Sequence, residues 1–282
     1  MRTRIRSVGV RGVCALVAVV SAAACGGSSN GGGSALTPQL TTITGVTFSA
    51  ITPGVGSSVT EAAVVNLSTG NTAPITSGYS SDTPSVATMT SAGVATGVAI
   101  GDVTFSVEFQ GFKASKKVRV LPGYQGTFYG NYTLDSCVDT ESFTTQGFCA
   151  QFTPGVVLTI AVSHSQSADL TSVVGQFLLG SLLGDSTGTV APNGVMTYSG
   201  VHTSGTARVD LQKATITSPS VGNLAGTFEL RWTDSAATGG ALVKATIQTL
   251  ARSTGGVATS SLGRTAPGPD GFLALSKRLL KR

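Results

Sequence analysis

Chemistry needs nucleophiles, bases and charged groups at workable spacings, and this chain of 282 residues offers few of them. Its two histidines, His164 and His202, stand in no metal-binding pair. HExxH does not occur, and no serine occupies a GxSxG turn. The many Ser and Thr hydroxyls therefore have no base placed beside them by any local pattern. Each histidine reads as a solvent-facing strand residue. Asp135, Asp139 and Glu141 cluster in one polar stretch, but their spacing matches no calcium loop, although hard cations take such oxygen ligands. The residues thus point to a protein that is not an enzyme and has no cofactor or metal site.

Four cysteines divide into two pairs of different meaning. Cys14 and Cys25 lie in an N-terminal stretch that opens with Arg2, Arg4, Arg6 and Arg11, runs apolar from Val13 to Val20 and closes on Ala22-Ala23-Ala24 before Cys25. A basic start, a short apolar core and small residues make a secretory signal. The apolar core of about a dozen residues is shorter than the ~20 that a membrane-spanning helix needs. This stretch resembles a bacterial lipoprotein signal, with Ala22 where that family usually carries Leu. The resemblance implies that residues 1–24 are removed and that Cys25 is acylated, which would anchor an exported protein in a membrane at the cell surface or the periplasmic face. Cys137 and Cys149 then form an even pair in an exported chain, for which a disulfide is expected.

The charge balance excludes one large class of partner. The formal charge is +5, but four of the eighteen Lys and Arg lie in the leader, leaving 14 against 13 acidic residues. Lys277, Arg278, Lys281 and Arg282 are concentrated at the C-terminal end, so the middle is close to neutral. A nucleic-acid interface needs a basic patch on a folded face, and none is expected here.

Few charges and abundant Gly, Ser, Thr and Val suit short strands and many turns, so the expected class is all-β. Residues 25–42 are almost wholly small and polar and read as a flexible tether. Strands begin at Ile43. In Val103–Phe109 the residues Val103, Phe105, Val107 and Phe109 alternate with Thr104, Ser106 and Glu108, the pattern of a half-buried strand, and after a turn at Gly111 the residues Val118 and Val120 continue it as a hairpin. The run Tyr79 to Met89, then Gly93 to Gly101, Val103 to Phe109 and Lys113 to Val120 resembles a bacterial immunoglobulin-like domain of group 2. That resemblance covers residues 43–122 and implies a β-sandwich acting as a spacer or adhesive module. Tyr79 stands where many members carry Trp.

Leu121-Pro122-Gly123-Tyr124 reads as a junction, and residues 123–252 as a second domain. Its expected strands are Thr127–Leu134, a run through Val156–Val162, Leu170–Leu179, Gly188–Val190, Val195–Val201, Ala207–Ile216, Leu224–Trp232 and Leu242–Leu250. About eight sequential antiparallel strands suit an up-and-down barrel, because closure removes the edges. The alternative is a second β-sandwich. The likeness to small lipocalin-like or avidin-like barrels is topological only. Between the first two strands, Asp135 to Phe148 reads as a loop bracketed by the cysteine pair, with Asp135, Asp139, Glu141, Phe143 and Phe148 as a candidate binding surface. Residues 253–282 read as a flexible basic tail. Together these features suggest a tethered lipoprotein whose barrel contacts an unknown protein or polysaccharide, or else holds a small molecule inside the barrel.

Overall fold

The computed structural model describes residues 41–180 and 182–253. The leader, Cys14, the proposed lipid site Cys25 and the basic tail lie outside the described residues.

Among the described residues, the stretch before the junction is built from nine strands in three small sheets. They are β1 (Ile43–Ser49), β2 (Ser58–Thr60), β3 (Ala62–Leu67), β4 (Thr72–Pro74), β5 (Tyr79–Ser81), β6 (Ala87–Met89), β7 (Val94–Gly97), β8 (Gly101–Phe109) and β9 (Phe112–Val120). Pairing runs β1-β3-β4, β2-β7-β6 and β5-β8-β9. The expected hairpin is present as β8 and β9, with Val103 opposite Val118 and Gly101 opposite Val120. Val103, Phe105 and Val107 are buried as the alternation predicts. Tyr79 is also buried, and its hydroxyl donates to the Ile75 carbonyl at 2.9 Å, which satisfies the one polar atom its ring brings inside. β9 lies at a sheet edge and carries Lys113, Lys116 and Lys117; charge on an edge strand blocks pairing with another chain.

The second half is a closed eight-stranded antiparallel barrel with strands in sequential order. These are β10 (Gly126–Glu141), β11 (Val157–Gln166), β12 (Ser172–Leu179), β13 (Leu182–Val190), β14 (Met196–Ser204), β15 (Ala207–Ser220), β16 (Asn223–Asp234) and β17 (Gly239–Arg252). β10 pairs with both β11 and β17, so no strand is left as an edge. A meander barrel is therefore the observed architecture, and the second-sandwich alternative is set aside. The barrel differs from the sequence reading in β13, which begins at Leu182 and not at Gly188. Gly184 faces inward there under Phe177; a Cβ on Gly184 would stand 2.4 Å from the Phe177 ring, and one on Gly200 2.7 Å from it. Two missing side chains thus make the room that one phenyl ring fills.

The barrel sorts its side chains by polarity. Large apolar groups point inward, among them Phe128, Tyr132, Phe177, Met196, Phe228 and Leu230. Outward, one level of the wall is occupied by hydroxyls on seven neighbouring strands: Ser172, Thr189, Thr197, Thr215, Thr227, Thr246 and Thr133 stand opposite one another in register. Threonine suits exposed strand positions, and opposed Thr pairs add to sheet stability. This is the reverse of a lipid-facing barrel, in which the apolar residues face out.

The junction is not a free linker. Leu121 and Tyr124 are fully buried and belong to the barrel core. The Tyr124 hydroxyl donates to the Gly194 carbonyl at 2.6 Å, and Arg119 of β9 reaches the Pro192 carbonyl at 3.3 Å. Gly54 also forms an isolated bridge to Leu121. The turn at 192–194 is thus gripped from both sides of the junction.

Cys137 and Cys149 are joined by a disulfide across a sequence separation of 12. A loop of this size closed in the unfolded chain stabilises by roughly 2–3 kcal/mol in the chain-entropy account. Protein isolated without reductant should show neither cysteine labelled by a thiol reagent, and labelling of both would contradict the bond.

Candidate functional site

The stretch from Asp135 to Phe148 is not one loop. β10 continues as a strand to Glu141, followed by a single helical turn at Ser142–Thr145 and a 3-10 turn at Cys149–Gln151. A register shift between Leu134 and Ser136 turns the strand, so that positions which looked irregular remain paired with β17. The chain leaves the strand at Glu141, whose φ of 53° is the left-handed value that lets it turn inward.

The side chains of this stretch do separate jobs. Asp135 accepts from the Thr246 hydroxyl at 2.8 Å. Asp139 accepts from the Thr144 hydroxyl at 3.1 Å and from the Cys149 backbone N–H at 2.8 Å, binding the helical turn and the cysteine to the strand. Asp135 and Glu141 remain exposed. Among the described residues no group of three or more His, Cys, Asp or Glu side chains is placed to hold a metal ion. Phe143 and Phe148 are buried, with ring centroids 5.3 Å apart, and Phe148 stacks on Trp232 at 5.6 Å and on Phe152 at 5.1 Å. Neither phenylalanine is presented to a partner as a surface anchor. Their rings close one end of the barrel.

The barrel interior is filled. The void left inside it measures about 10 Å³ and is lined by His164 and Tyr198 together with apolar side chains such as Ile160, Phe228 and Leu250. That is at or below the room one water needs. Contrary to what its residue type predicts, His164 does not face solvent but shares the inward parity of Ile160 and Val162 and is only 5 % exposed. It sits edge-on to Tyr198 at 4.8 Å and near Phe128 at 6.3 Å. Neither ring nitrogen has a hydrogen-bond partner of good geometry. Burial pulls its pKa down to about 4, offset only in part by the Tyr124 backbone, so the neutral ring is the stable form. Tyr198, hydrogen-bonded to the buried Ser186, is pushed up to about 12 by burial. His202, by contrast, lies on the outer wall with Nδ1 against the Leu183 carbonyl at 2.6 Å.

The large concavity lies outside the barrel, where its mouth meets the first group of sheets. A cleft of about 800 Å³ runs between the Thr52–Val59 segment and Ile100 on one side and Gly123, Gln125, Gln166, Leu170, Ser218–Gly222 and Arg252 on the other. Such volumes, at the meeting of two structural layers, are typical of binding sites. Gln166 fixes the floor: its side-chain oxygen accepts from the Tyr124 N–H at 2.7 Å, while its amide donates to the Pro122 carbonyl at 3.2 Å and the Leu170 carbonyl at 2.9 Å. At one wall the tip of the β15–β16 hairpin brings Val221 over Gly56, where a Cβ would stand 2.5 Å from the Val221 methyl. Gly56 also has φ of +73°, so glycine is required there on two counts.

Among the described residues, Arg252 is the only charged one in the cleft lining. Its guanidinium lies over the Phe128 ring at 5.2 Å and donates to the Gly123 carbonyl at 3.0 Å. No pattern in the sequence announces this arrangement, because Gly123 and Arg252 are 129 residues apart. Compared with known proteins, the chain matches no family model and no curated sequence.

Proposed function

We propose that this is a non-enzymatic, exported bacterial lipoprotein in which Cys25 carries the membrane anchor and residues 43–122 act as an immunoglobulin-like spacer. The barrel is held outward and recognises a protein or a cell-envelope polysaccharide on its exterior. The observation that carries this reading is the packed barrel interior, with a void of about 10 Å³ against a cleft of about 800 Å³ outside. A filled barrel leaves recognition to outer surfaces, and it weighs against a small molecule held within. The buried Tyr79 and the β8–β9 hairpin support the spacer reading, since they sit where the family resemblance requires a core aromatic and a strand pair.

One acyl chain binds a membrane marginally and two or more bind it stably. The Cys25→Ser variant should therefore move from the membrane to the soluble fraction while still sedimenting with isolated cell-envelope material. A variant that stays in the membrane would sink the anchor, and wild-type protein that ignores the envelope would sink the recognition role.

A further inference from the structure

We infer that the cleft binds a ligand bearing a carboxylate, seated on the guanidinium of Arg252. Charge supplies the first argument. Among the described residues no Asp or Glu lines the cleft, so its one charged side chain is uncompensated from within. Among the described arginines, Arg208 is paired with Asp210 at 2.6 Å and Arg119 with Asp102, while Arg231 stands on the outer wall of β16, away from the cleft. Among the described residues Arg252 instead meets a backbone carbonyl and a ring face, and it is exposed to the cleft.

Geometry supplies the second. Stacking on Phe128 and donation to Gly123 fix the plane of the guanidinium before any ligand arrives. A fixed planar fork is suited to the two oxygens of a carboxylate. A phosphate dianion would call for a second cation or a helix N-terminus, and the described lining supplies neither. The rest of the cleft is suited to a body both polar and apolar: Ser218, Ser220 and Gln125 offer hydrogen bonds, while Val55, Ile100 and Leu170 offer dry contact. An acidic sugar residue of an envelope polymer and a free organic acid share this chemistry. The inference rests on the reading that recognition lies outside the barrel.

Calorimetry on the full-length protein in detergent tests it, using three probes: a galacturonate tetramer, the same tetramer fully methyl-esterified, and galacturonate monomer. The acidic tetramer should bind one-to-one, the ester at least tenfold more weakly. Arg252→Gln should weaken the acidic tetramer at least tenfold, Arg252→Lys by less, and Arg208→Gln on the outer wall should leave it unchanged. A tetramer bound more tightly than the monomer assigns the site to a polymer; equal affinity per site assigns it to a free acid. Equal binding of acid and ester, an unaffected Arg252→Gln, or no binding of either acidic probe would overturn the inference. If one of these results overturns the inference while the protein still sediments with envelope material, the recognition role survives and only the Arg252 site fails.

Discussion

Phe148→Ala should lower the unfolding free energy by about 3–5 kcal/mol, the cost of removing a large aromatic from a packed core and leaving a hole. The argument rests on where the ring sits. Phe148 is 2 % exposed and touches Phe143, Phe152 and Trp232, which together close the barrel end beside the disulfide. Backbone tethers hold the plug in place, through the Cys149 N–H on Asp139 and the Phe148 N–H on the Phe143 carbonyl at 2.9 Å. The site therefore has little freedom to collapse around a cavity. Urea unfolding followed by Trp232 fluorescence measures the loss. A change below about 1 kcal/mol, the ordinary scale of a surface substitution, would mean that the ring does not plug the barrel.

The second large effect is a dependence of stability on pH, traced to His164. An unfolded histidine protonates near pH 6.5; in the folded barrel the ring resists protonation until about pH 4. Above pH 6.5 both states are neutral at this residue and its contribution does not change. As the pH falls from about 6.5 to about 4 the unfolded chain takes up a proton that the folded chain refuses, so stability falls, by about 3 kcal/mol in all. Below pH 4 this residue adds nothing further. The side chains lining the adjoining void include no carboxylate that could compensate the charge; Tyr198 is the one other titratable group there, and it stays neutral throughout this range. Urea midpoints at pH 7 and pH 4.5 should separate clearly for the wild type and draw together for His164→Leu. The same separation in the variant would place the effect elsewhere.

Parts of this molecule could be read from its sequence because burial imposes a period of two. Thr227 to Trp232 and Val243 to Ile247 alternate without a break, and they emerge within β16 and β17. Where polar residues turn inward the pattern fails. Ser186 faces the core because Tyr198 receives it, Gly184 because Phe177 lies over it, and together they hide the first half of β13. His164 misleads by its type, although its parity with Val162 was visible. The run from Asp135 to Glu141 looked like a loop because a bulge reverses the parity halfway along β10. The cleft left no trace in the sequence. It is formed by side chains that meet only once the junction and the barrel have folded together.

The pairing of β10 with β17 bears on how the barrel can be assembled. The seam joins residues about 100 positions apart, as in the hydrogen bond from the Thr140 hydroxyl to the Gly240 carbonyl. Any route that delivers the chain from its N-terminus onward must therefore hold seven strands with an open seam until Gly239–Arg252 arrives. Such non-local closure is slow, and the waiting edges can capture strands from another molecule. A chain shortened within its last strand would lose the closure itself and present two unpaired edges, β10 and β16, so the final segment acts as the latch that separates a monomer from an aggregate.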